Sequence, residues 1–243
     1  MSTRRGRRPL TVIVMSILAG WLAMAPGPLG VTPACADDTM EARQLVERSR
    51  FAFEAFLADA QMAGSLRAIL GRAKAVLIYP GILRLAFLFG GSGGSGVLLV
   101  RDEKANAWGG PAFYTIGQAS FGFQAGGDAA DVVLVVLTDR GVSALLSTSA
   151  KLGADAGVTF GPVGVGAEAA TANLSADIVS YSRSKGLYAG ISVNGAAVVT
   201  REALNRAYYS REVNPTSILI YREVTNPHAA PLIEAVAKAA GAN

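Results

Sequence analysis

The sequence predicts one α+β domain: a helical segment, then a strongly curved, glycine-rich and largely antiparallel sheet, then helices again. Three observations carry this. Residues 40–63 place apolar side chains at helical spacing. From about residue 74 to residue 200 the pattern changes to β-type runs punctuated by glycine, in a chain with 28 glycines among 243 residues. Helical periodicity then returns at 201–209 and 231–240. Glycine inside strands marks bends and barrel corners, so a barrel-like sheet is one outcome of this curvature. No fixed-period repeat, heptad or linker divides the chain.

In the first helical segment Ala42, Leu45, Val46, Ser49, Phe53, Phe56, Leu57 and Ala60 share one face, Asp38 and Thr39 are candidate N-caps, and Gly64 ends it. Acids and arginines alternate on the other face. Two readings stay open, a surface helix on the domain core and an amphipathic membrane-docking helix. Residues 65–72 suggest a second short helix. Residues 89–96 (FGGSGGSG) then stand between two apolar runs, 75–89 and 96–102. Such a piece reads as a tight β-connection or, alternatively, as a nest of N–H groups that cradles phosphate; no Walker lysine follows it. Residues 97–100, 119–125 and 131–138 are strand candidates, the last apolar on both faces and therefore central. Asp139 is placed to cap a short helix at 140–147. The small residues of 153–166 imply close backbone approach. Residues 177–182 and 187–194 read as hairpin arms turning through 183–186, and Asn194-Gly195 signals a turn into 197–200.

Composition bounds the function. With 51% hydrophobic and 16% charged residues, wholesale disorder is excluded. The net charge of +4 comes from the first 36 residues, where Arg4, Arg5, Arg7 and Arg8 stand without an acid; beyond them 18 basic and 18 acidic residues balance. A broad basic face for nucleic acid therefore loses its support. The same 36 residues read as a secretory signal peptide. A basic start precedes an apolar stretch at 10–25, shorter than the roughly 20 residues that span a bilayer, and Ala34-Cys35-Ala36 supplies the small–x–small cleavage pattern. Residues 37–243 are then the mature domain, exported to the periplasm or cell envelope. Lipidation of Cys35 is the weaker variant, because the residue three places earlier is not the usual apolar one. Cys35 is the sole cysteine, so the mature fold stands without disulfides.

Candidate chemistry is sparse. His228 is the single histidine, placed in a loop; without a Cys or a second His it supports no zinc or copper site, and no G-x-S-x-G elbow favours a serine triad built on it. Asp128 and Asp131, like Asp102 and Glu103, border strands and read as solvated turn residues. No catalytic residue, metal or cofactor is assigned. Trp108, Phe113 and Tyr114 are aromatics in an aromatic-poor chain, either core residues or membrane-interface anchors. Arg183 and Lys185 lie in a turn flanked by tyrosines, where two cations can bind phosphate or simply keep the surface soluble.

Four segments, 89–102 (FGGSGGSGVLLVRD), 111–136, 152–164 (LGADAGVTFGPVG) and 180–195 (SYSRSKGLYAGISVNG), resemble the SYLF domain family, known in eukaryotes as the Ysc84 actin-binding domain. The resemblance covers about 42–209. It implies a non-catalytic protein that binds anionic phospholipid headgroups at a membrane surface. Arg183 and Lys185 match the family's S-R-S-K-G segment, and Gly90, Gly91, Gly93 and Gly94 are candidate second contributors. The family's fungal members are associated with actin, a partner that export would place out of reach. The alternative reading is a structural or protein-interaction module of the envelope without a lipid ligand.

Overall fold

The long amphipathic stripe forms α1, Ala34–Ala58. The computed structural model describes residues 34–86, 89–121, 126–161, 176–184 and 193–241. Ala42, Leu45, Val46, Ser49, Phe53 and Phe56 are all buried, as their spacing predicts. The helix begins earlier and stops sooner than expected, and Gly64 falls in the first turn of α2, Ala63–Leu70. The reason is Asp59, whose carboxylate accepts the Gln61 N–H at 2.9 Å and closes a turn before the glycine is reached.

Among the described residues eight strands follow: β1 Ala75–Ala86, β2 Phe89–Asp102, β3 Ala107–Phe121, β4 Gly126–Val136, β5 Ser149–Lys151, β6 Val158–Phe160, β7 Ile178–Ser184 and β8 Ala197–Thr200. They form one sheet in the order β5-β8-β3-β2-β1-β4-β7-β6. Every ladder is antiparallel except β6 with β7. A flat sheet of this size sets its outer strands about 34 Å apart. Here the outer strands β5 and β6 are consecutive in the chain, joined through a bridge between Leu152 and Ala156. The Asp155 N–H bonds back to Lys151 O at 2.9 Å within the same turn. The sheet meets this constraint by curling into an open half-barrel.

The stretch 89–96 is strand rather than turn, which corrects the expectation. It forms the first half of β2, paired with β1 on one side and β3 on the other. Gly96 shows why: a Cβ there would lie 2.4 Å from Ile78 O and 2.5 Å from the Tyr79 ring. Beside it β1 carries a one-residue bulge, since Ile78 and Leu83 oppose Val97 and Gly93, and Gly81 takes φ +90°. The bulge reverses the alternation, so that Tyr79 and Ile82 point to the same side.

Both sheet faces are covered. On one, Val76, Ile78, Val97, Leu99, Val133 and Val135 pack under α1, α2 and two later helices, α4 (Glu202–Tyr209) and α6 (Ala230–Ala240). On the other, Leu77, Leu98, Val132, Leu134 and Val136 line the inside of the curl. That side is closed by α3 (Asp139–Leu146) and α5 (Pro215–Leu219). Thr138, not Asp139, caps α3, its hydroxyl accepting the Gly141 N–H at 3.1 Å. The Asn194-Gly195 turn leads into β8 as expected, with Gly195 at φ +85°.

Candidate functional site

The β7 sequence IVSYSRS alternates faces: Val179 and Tyr181 join the helix-covered core, and Arg183 follows on the same side. Arg183 is therefore a strand residue, not part of a turn. Directly opposite in the β4–β7 ladder stands Asp131. Its carboxylate takes the Arg183 Nη2 at 3.3 Å, with side chains 5% and 35% exposed for Asp131 and Arg183. Asp131 is thus a buried counter-ion, which corrects its reading as a solvated turn residue. The Arg183 Nε is shut off from solvent without a hydrogen-bond partner.

α1 passes across the sheet to reach this pair. Near its start Thr39 donates to Ala207 O at 3.3 Å, and Glu41 pairs with Arg201, which also donates to Ser95 Oγ at 2.9 Å. Further along, Arg48, Phe51 and Ala52 meet Pro80, Asp131 and Arg183 around a cleft of about 230 Å³. Phe51 is 57% exposed, and the Arg50 guanidinium stacks over its ring at 4.4 Å while pairing with Glu54 at 3.0 Å. The site therefore gathers arginines, one buried carboxylate and an exposed aromatic ring. Sequence reasoning missed Arg48, Phe51 and Pro80. The available signal was Phe51 itself, an aromatic standing off the apolar stripe directly after Arg48 and Arg50.

The other nominated residues fall elsewhere. Lys185 lies outside the described residues, as do residues 1–33, residues 122–125 of a strand candidate, and most of the arm 187–194. Gly90, Gly91, Gly93 and Gly94 are ladder residues of β2, their N–H groups directed at neighbouring strands rather than converging as a phosphate nest. Trp108, Phe113 and Tyr114 are 7%, 0% and 1% exposed. Phe113 stacks edge-on against Tyr208 at 5.1 Å, and the Tyr114 hydroxyl donates to Leu145 O at 2.7 Å. These rings are core residues and do not reach an interface. His228 sits in the 3₁₀ turn Pro227–Ala229 between Glu47, 3.2 Å from Nε2, and the Tyr208 hydroxyl, 3.2 Å from Nδ1. It ties α1 to the C-terminal helices.

A second cleft of about 340 Å³ opens at the other end of the strands. Part of its charge is paired within the fold, although Arg101 and Lys104 also line it and Arg101 donates to Asn106 Oδ1 and Gly71 O rather than to a carboxylate. Lys74 bridges Glu103 at 2.8 Å and Asp139 at 3.1 Å, contacts that raise its pKa, and Arg222 faces Asp102 at 3.9 Å. Among the described residues no group of three or more His, Cys, Asp or Glu side chains could hold a metal ion. No described helix is long and apolar enough to cross a membrane.

Residues 117–239 match the family model described as Ysc84, Las17-binding protein actin regulator. Protein YSC84 of Saccharomyces cerevisiae is 35% identical over 170 residues, which is 68% of this chain and 36% of that protein. LAS seventeen-binding protein 3 of the same yeast is 36% identical over 168 residues, again 68% of this chain and 36% of the relative. The SH3 domain-containing YSC84-like protein 1 of Homo sapiens is 30% identical over 153 residues, 62% of this chain and 44% of that protein. The chain thus spans less than half the length of these relatives. The matched region contains β4, β7, α4 and most of α6, the frame on which Arg183 and Asp131 stand opposite each other. On these matches the chain belongs to the Ysc84, or SYLF, family.

Proposed function

We propose that this protein binds anionic phospholipid surfaces without catalysis, as an exported, peripheral component of a bacterial envelope. The observation that supports this reading is the grouping of Arg48, Arg50 and Arg183 around the exposed Phe51 ring. A cation near an anionic surface contributes about 1 kcal/mol, and an aromatic ring inserted among headgroups adds the apolar contact that charge alone lacks. Co-sedimentation with vesicles is the test. The full chain should pellet with vesicles containing phosphatidylglycerol and far less with pure phosphatidylcholine. Phe51→Ala should weaken the anionic binding about five-fold, the loss of about 1 kcal/mol, at unchanged melting temperature. Equal binding to both vesicle types overturns the reading.

Export rests on the leader-like residues 1–36. Mass spectrometry of protein from its native host should find Asp37 as the first residue, and a diacylated Cys35 would replace this with a lipoprotein. The family description favours a second reading, a protein-interaction module, because relatives carry Las17-binding and actin-regulator names. Co-sedimentation with actin filaments separates the two: binding to filaments but not to anionic vesicles selects the second.

A further inference from the structure

The Arg183–Asp131 pair is loosely made. Charge-assisted N–H···O contacts close to about 2.7–2.9 Å, whereas this one stands at 3.3 Å. A guanidinium offers five donors, and the Nε of Arg183 is desolvated with no partner. The carboxylate is fixed within the sheet at 5% exposure, while the arginine, 35% exposed, has room to turn. Across the cleft, exposed Arg48 makes a long contact, 3.4 Å, with Gln44 O of its own helix, its one hydrogen bond among the described residues. Among the described residues that line it, two cations face one anion, a net charge of about +1, suited to a singly charged phosphodiester. Its 230 Å³ accommodates a phosphate group with a few waters, given about 30 Å³ per water. It is too small for acyl chains, and its lip is apolar, made by Phe51 and Pro80.

We propose that this cleft is a phosphate subsite in which Arg48 and Arg183 hold the oxyanion and Asp131 competes with it for the Arg183 guanidinium. Empty, the site keeps Arg183 docked on Asp131; filled, Arg183 turns to the phosphate, so the carboxylate sets a threshold for binding. The proposal rests on the anionic-surface reading for the source of the phosphate, a lipid headgroup, but not for the chemistry of the subsite. Its distinctive consequence is a gain of affinity on removing a conserved-volume acid. Asp131→Asn keeps the shape, deletes the competing charge, and frees the arginine.

The test measures the full chain on phosphatidylglycerol-containing vesicles by co-sedimentation and on inorganic phosphate by titration calorimetry. Asp131→Asn should bind both at least about five-fold more tightly, and Arg48→Ala at least about five-fold more weakly, one cation's worth of attraction. Arg183→Lys, which keeps the charge and loses the fork, should also bind more weakly. Melting temperatures of the variants confirm folding. If the variants change phosphate binding as stated while no form binds vesicles, the subsite stands and the lipid source falls. If wild type binds vesicles but Asp131→Asn gains nothing, or Arg48→Ala loses nothing, the proposal is overturned and headgroup contact lies elsewhere. Should Asp131→Asn fail to fold, Arg48→Ala decides alone, and unchanged affinity for both probes overturns the subsite.

Discussion

Arg183 stands opposite a carboxylate that the sheet and α1 remove from water, so its truncation exposes the fold to an uncompensated charge. Breaking a fully buried pair costs about 3–5 kcal/mol. With Arg183 one-third exposed, Arg183→Ala should cost about 2 kcal/mol in urea unfolding, partly relieved by Lys at the same position. A residue read as a solvent-facing turn cation would instead leave the melting curve where it was. Asp177 provides a second test at this scale. Its carboxylate accepts the Thr138 hydroxyl at 2.6 Å and the Gly157 N–H at 2.8 Å, and faces Arg140 at 3.6 Å. The hydroxyl bond first, then the amide bond, hold its pKa below the ordinary 3.8. A carboxylate with a lowered folded pKa stabilises the fold above its unfolded value and loses that contribution as pH falls through the folded one. Asp177→Asn should therefore cost about 1–2 kcal/mol at pH 7. The gap to wild type should narrow below pH 3.8 in melts recorded across that range.

At the scale of elements, α1 acts both as core and as rim. Phe53 and Phe56 are 0% exposed, packed between the helices and the sheet. Each Phe→Ala change should cost about 3–5 kcal/mol, read by denaturant unfolding, and this excludes them as membrane-inserting residues in this conformation. Phe51, on the opposite side of the helix, should behave in the reverse sense, losing vesicle binding and keeping stability. β2 carries a comparable contrast with β3. At Gly96 a Cβ would strike Ile78 O and the Tyr79 ring, whereas at Gly117 nothing lies within 4 Å. Gly96→Ala should destabilise by about 1–3 kcal/mol or more through overpacking, and Gly117→Ala should be neutral or mildly stabilising. Equal effects at both positions would show that chain entropy, not close packing, explains the glycines.

Across the whole molecule, the central strands belong to two clusters at once. Val76 and Ile78 of β1 face the helices, while Leu77 and Tyr79 face the inside of the curl, and β4 divides in the same way. Neither layer can lose its packing while the shared strands stay ordered. Urea unfolding should therefore give coincident transitions by near-UV and far-UV circular dichroism, for wild type and for Phe56→Ala alike. Separated transitions would show that the helical layer melts independently.

Several elements were legible in the chain because their signals are local. The α1 stripe, the all-apolar run of β4, the Asn194-Gly195 turn and the terminal helix α6 depend on spacing and turn chemistry that few neighbours can override. The SYLF segments likewise carried the family through the order of their residues. The glycine run 89–96 was misread because glycine inside a strand and glycine in a turn have the same composition. Only the Tyr79 ring and Ile78 carbonyl pressing on Gly96 distinguish them. Trp108, Phe113 and Tyr114 were open between core and interface for a similar reason, since amphipathic rings suit both. Pairing of Asp131 with Arg183, 52 positions apart, depends on strand register, and their meeting with Arg48 and Phe51 depends on where α1 crosses the sheet. Sequence by itself determined the helices, the central strand and the family. The tertiary structure decided which charges meet, because an ion pair or a cleft is made by long-range approach that no local spacing encodes.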